Sequence, residues 1–194
     1  MRIELRGIHK SFGPVHANAG ISLEVRSASV LGVLGENGAG KSTLMKILSG
    51  FQPPDEGEIL LDGKPAAIRS PADAIRLGIG MRHQDPLDFA PLRLVDDRLL
   101  GSPGPLRPDR RGAAREFGEL AERFDFALDP LSYVDSLTVG ERQQLEILRL
   151  LWQGAKVLIL AEPTTGISLP QKEKLFATIK RLASEGMTVL FVSH

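Results

Sequence analysis

The stretch "GENGAGKST", Gly35 to Thr43, holds the residue types that grip a phosphate. Gly35, Gly40, Lys41 and Ser42 fit the spacing G-x-x-x-x-G-K-[ST]. Glycines let the backbone bend around a phosphate with its N–H groups turned inward. Lys41 supplies a point charge for β- and γ-phosphates, and the Ser42 hydroxyl is a ligand for Mg²⁺. About one chain in a hundred of this length would carry the pattern by accident, so its context decides. "VLGVLG" precedes it as a strand, and "KSTLMKILSG" follows as a helix whose N-terminus favours anions. A flexible glycine turn before a helix would explain the glycines but not this setting.

A second stretch, "LILAEPT", Leu158 to Thr164, ends an apolar run in a small residue and a glutamate. The stretch reads either as a buried strand with a catalytic carboxylate at its tip or as a site that has lost half its chemistry. Ala161, just before Glu162, brings no such group.

The elements that must position these residues alternate along the chain. "IELRGIHKSFG" and "GISLEVRSASVLGVLG" read as extended, and "GEILLDGKPAAI" as a hairpin turning at Asp62-Gly63. "SPADAIRLG" has a cap in Ser70, a proline at the first helical position and a stop in Gly78. "IGMRHQ" returns to strand, and Gly101 to Gly112, dense in Gly, Pro and Arg, reads as an exposed linker. "AAREFGELAERF" and "VGERQQLEILRLLWQG" are helical, the latter with Leu145, Leu148 and Trp152 on one face. "AKVLIL" and "MTVLFVSH" read as buried strands around the amphipathic helix "SLPQKEKLFATIKRLASEG". This alternation predicts a parallel sheet with right-handed crossovers.

Composition bounds the rest. The 194 residues suit one domain, or one with a small lobe, and 42% hydrophobic content can build a core. Twenty-four basic and twenty-four acidic residues cancel, so no nucleic acid is expected as a partner. There is no cysteine, which excludes disulfides and thiolate metal sites. No apolar run approaches the ~18 residues that span a bilayer, so the chain reads as soluble.

At "DSLTVGERQQLEILRLL" the sequence resembles a known family. Leu137, Thr138, Val139, Gly140 and Glu141 look like the signature motif of the ABC-transporter ATPases, commonly Leu-Ser-Gly-Gly-Gln, at the start of a helix just upstream of an apolar strand. The continuation is similar to the ATPases of bacterial importers for simple sugars and nucleosides. The resemblance covers essentially the whole chain. It implies an α/β fold: a P-loop NTPase core with a parallel sheet, an N-terminal antiparallel β subdomain and a small helical subdomain over about 87–150.

The resemblance also implies roles. ATP and Mg²⁺ are the expected cofactors. Phe12 matches the aromatic that stacks on adenine, and Gly35, Asn37, Gly38, Gly40, Lys41, Ser42 and Thr43 form the phosphate contacts. Gln84 matches the glutamine that senses Mg²⁺ and the γ-phosphate; His194 matches the switch histidine; Glu162 polarises the attacking water. In the family an aspartate holding Mg²⁺ stands where Ala161 stands, and Ser168 replaces another common aspartate. Thr138 and Gly140 would meet the ATP of a second ATP-binding domain, and transmembrane permease subunits would hold the protein on the cytoplasmic face of the membrane. Family members continue past His194, so the chain looks cut off at its C-terminus.

Overall fold

A computed structural model describes residues 1–82, 91–96 and 109–193. Two four-stranded sheets organise them. The antiparallel sheet has the order β2 (Val15–Val25), β1 (Ile3–Phe12), β4 (Glu56–Leu61), β5 (Lys64–Pro65). The parallel sheet has the order β3 (Val30–Leu34), β8 (Thr188–Ser193), β7 (Val157–Ala161), β6 (Ile79–Arg82). The stretch from Gly20 to Gly35 therefore serves both sheets: β2 and β3 are separated by a turn in which Ala28 takes φ 54°. The Asp62-Gly63 hairpin forms as its dipeptide dictates, with φ 49° and 78°.

Between the sheets lies α1 (Lys41–Leu48), which buries Leu44, Met45, Ile47 and Leu48. They join one cluster with Ile3, Leu5 and Ile59 of the antiparallel sheet and Val157 and Ile159 of β7. The phosphate-loop helix is thus wedged against both sheets. Each such side chain is worth about 1.5–3 kcal/mol when fully buried. The short α2 (Pro71–Arg76) is capped as its sequence predicts: the Ser70 side chain accepts from the Asp73 N–H at 3.2 Å.

The other face of the parallel sheet packs on α3 (Arg110–Arg123), α4 (Val139–Trp152) and α5 (Leu169–Ser184). Leu145 and Leu148 of α4 are buried with Leu158, Leu160 and Val189 of the sheet, and Phe117 of α3 meets Trp152 edge-on at 5.9 Å. One continuous cluster therefore joins the helices to the sheet. The helix α3 starts inside the tract expected to be linker, because Asp109 caps it by accepting from the Gly112 N–H at 2.9 Å. Arg110 is paired with Asp96 at 2.6 Å. Residues 101–108, Arg107 among them, lie outside the described residues, as does part of the helical lobe expected over about 87–150.

Candidate functional site

The parallel register brings the two chemical stretches to one edge. Leu34 of β3 pairs with Ser193 of β8, and Val192 pairs with Ala161 of β7. Gly35 and Glu162 therefore leave the carboxyl ends of two strands that flank β8. That edge is where open α/β sheets bind ligands.

At the β3 end the loop closes on itself. Lys41 Nζ donates to the carbonyls of Gly35 and, at 2.9 Å, of Glu36, so its ammonium arches over the loop. Gly40 enters α1 with φ 83°, and no side chain caps the helix, which has no acidic residue in its first turn. The first-turn N–H groups and the helix dipole thus point at the loop with no carboxylate to oppose an anion. Asn37 and Gly38 are exposed on the loop, Ser42 is exposed at the helix start, and Thr43 is half-buried behind it. Gly40 tolerates no substituent: a Cβ there would lie 2.1 Å from the Ala17 carbonyl oxygen.

At the β7 end Glu162 is half-buried and adopts φ 47°, a left-handed conformation that costs a non-glycine residue about 1–2 kcal/mol. Its N–H donates to the Val192 carbonyl at 3.0 Å, and its carbonyl accepts from the Thr165 N–H at 3.2 Å. The strain is held by these bonds, as at functional turns elsewhere. Strand alternation puts Ala161 on the face of Val157 and Ile159, toward α1. A methyl group, not a carboxylate, therefore faces the phosphate-loop helix from this strand.

Phe12 stands at the tip of the β1–β2 hairpin opposite Val15, and 47% of it is exposed. An aromatic merely ending a strand in the core would be covered; this ring is open to a stacking ligand. Lys10 lies over it at 5.8 Å and is fixed by Asp55 at 2.7 Å. Asp55 also accepts from the Ser11 N–H at 2.7 Å. The Lys10 bond, chiefly, holds the Asp55 carboxyl below its usual range.

The signature residues sit elsewhere. Thr138 caps α4, and the Glu141 carboxylate accepts from the Thr138 N–H at 2.8 Å and hydroxyl at 2.7 Å. Leu137 is packed against the core beneath, and Val139 is 54% exposed. Thr138, Gly140 and Glu141 line a small cleft with Gln171 and Lys174 of α5. This cleft is built by α4 and α5, away from the loop at the end of β3. Gln84 and His194 lie outside the described residues.

Three residues were not singled out by sequence reasoning. Gln171 presses on Gly140, where an added Cβ would meet its Nε2 at 2.9 Å, and its Oε1 accepts from the Ser168 N–H at 2.8 Å. The spacing Ser168-x-x-Gln171 was a usable signal. Arg82 is only 8% exposed and donates a long 3.5 Å bond to the Ala161 carbonyl, while its Nε has no partner among the described residues. Burial pushes its guanidinium below the ordinary arginine range, against the pull of Glu146. Asn18 is buried beside Gly40. Neither Arg82 nor Asn18 had a local sequence signal.

A glycine-rich loop between a parallel strand and a helix, with a glutamate at a strand end on the same edge of the sheet, defines a P-loop α/β nucleotide-binding domain. The ABC transporter family profile matches residues 19–165, and the chain belongs to that family. It is 44% identical to the ribose import ATP-binding protein RbsA 1 of Rubrobacter xylanophilus over 99% of this chain and 39% of that protein. It is 36% identical to the nucleoside import ATP-binding protein NupA of Lactococcus lactis over 99% of this chain and 38% of that protein. The chain thus spans about two fifths of the length of these relatives. In fold it matches an ATP-binding cassette of an ABC transporter in its ADP conformation, with a TM-score of 0.88, 24% identity, and coverage of 100% of this chain and 82% of the other.

Proposed function

We propose that the chain is the ATP-binding and hydrolysing part of an ABC importer for a small solute such as a sugar or nucleoside. The observation that carries this reading is the register that brings the loop holding Lys41 and the turn holding Glu162 to one edge of the sheet, on either side of β8. The names of the relatives support the solute class.

In this reading Phe12 stacks on adenine, and the loop amides from Gly35 to Thr43, with Lys41, hold the phosphates. Charge stabilisation and positioning then do most of the work of phosphoryl transfer. Glu162 polarises the attacking water, and Gln84 and His194, outside the described residues, are proposed to act in the same step. The described residues include no group of three His, Asp or Glu able to hold a metal. The donors present fit a Mg²⁺ ion held mainly by phosphates and water, with Ser42 as its protein ligand. Bound there, the ion would neutralise phosphate charge. Thr138 and Gly140 would act on the ATP of a second ATP-binding domain, and permease subunits would carry the motion across the membrane. No described helix is long and apolar enough to cross a bilayer, which suits a domain held at the inner face by such partners.

Ala161 favours a second reading: a domain that binds ATP but hydrolyses it weakly and pairs with an active one. The experiment is ATP binding and turnover in the protein and in Glu162→Gln. Turnover abolished in the variant, with binding intact, supports the motor reading. Equal turnover in both removes Glu162 from the chemistry and the motor reading with it. Binding without turnover in either favours the second reading.

A further inference from the structure

The buried amide of Asn18 has no role in the site described so far. It lies on β2, opposite Lys10, and is 5% exposed. Its Nδ2 donates to the Gly40 carbonyl at 3.3 Å. The same carbonyl accepts the Leu44 N–H at 3.0 Å, an opening bond of α1. The Asn18 Oδ1 is buried with no hydrogen-bond partner among the described residues.

A leucine has the same branched outline and would leave no unpartnered oxygen in this place, so for stability alone an asparagine is the poorer choice. What the amide adds is a second hold on one carbonyl. That carbonyl belongs to the Gly40–Lys41 peptide, and its direction sets where the Lys41 N–H, and the start of the anion-facing helix, point. The backbone of β2 already abuts this place through the Ala17 carbonyl. The beginning of the same strand, at Val15, pairs with Phe12.

We propose that Asn18 is a positioning residue that clamps the exit of the phosphate loop to β2. The clamp fixes the Gly40–Lys41 peptide and ties the loop to the strand that pairs with the adenine-side aromatic. In its consequence for ATP this rests on the functional reading above; in its consequence for the loop it does not.

The test uses Asn18→Leu and Asn18→Asp, with three measurements: the denaturant midpoint, hydrogen exchange of the Lys41–Thr43 amides without nucleotide, and ATP affinity. Asn18→Leu should be as stable as the parent or more stable. Its loop amides should exchange faster and ATP binding should weaken, each by about 3- to 10-fold, the worth of one net hydrogen bond. Asn18→Asp keeps the size but loses the donor, and should weaken ATP at least as much; it also serves if the leucine variant does not fold. Unchanged exchange and affinity in a folded variant overturn the clamp, as does lower stability with unchanged affinity. If the parent itself binds no ATP, the functional reading fails. The clamp is then decided by exchange alone: faster exchange upholds it and unchanged exchange overturns it.

Discussion

The ends of β3 and β7 lie one strand apart and differ in what they carry. At β3 everything that binding a phosphate demands is present: the loop glycines, Lys41 bridging the Gly35 and Glu36 carbonyls, and a helix N-terminus with no capping side chain. At β7 the turn is built and held, with Glu162 kept in a left-handed conformation by Val192 and Thr165, but Ala161 gives the site no second carboxylate. In the proposed reading binding depends on the first end and turnover on both. The two activities should then be separable, and substitutions at one end should not mimic those at the other.

The largest expected effect is at Gly40. Gly40→Ala drives a Cβ into the Ala17 carbonyl oxygen at 2.1 Å and keeps a left-handed φ. Overpacking and strain together should cost about 3 kcal/mol or more in chemical denaturation. Gly38→Ala has a similar φ and nothing within 4 Å, so it should cost only about 1–2 kcal/mol. Equal losses would show that the contact with β2 does not matter to the loop.

Next comes Lys41→Met, which should weaken ATP binding by roughly 100-fold, the worth of about two charge-assisted bonds, and leave the denaturant midpoint nearly unchanged. Titration calorimetry would check it, and near-parental affinity would show that the β3 end does not secure the phosphates. Thr138→Ala should have the smallest effect. It removes the cap of α4 and should cost about 1 kcal/mol of stability, with no change in ATP affinity of the isolated chain. An affinity loss there would place the signature in the same site as the loop, contrary to its position beside α5.

Much of this contrast was legible in the sequence because it is local. The spacing from Gly35 to Ser42 specifies the loop, the apolar run before Glu162 specifies a buried strand, and Ser70 and Pro71 specify a helix start. The onset of α3 was missed because the Asp109 cap lies in a tract whose Gly, Pro and Arg content signals linker. Asn18, Gln171 and Arg82 matter through the elements they touch. Asn18 meets Gly40 twenty-two positions away, and Arg82 reaches Ala161 across seventy-nine. Such pairings depend on the register of β2 against α1 and of β6 against β7, which local patterns do not encode.

We propose that the β7 end limits turnover while the β3 end secures ATP. The most direct measurement compares Mg²⁺-dependent ATP turnover and affinity in the protein and in Ala161→Asp. Turnover should be about 10- to 100-fold faster in the variant, the usual effect of a supporting group at a metal site, with ATP affinity changed far less. Turnover that is the same or slower in Ala161→Asp, with the fold intact, would contradict it.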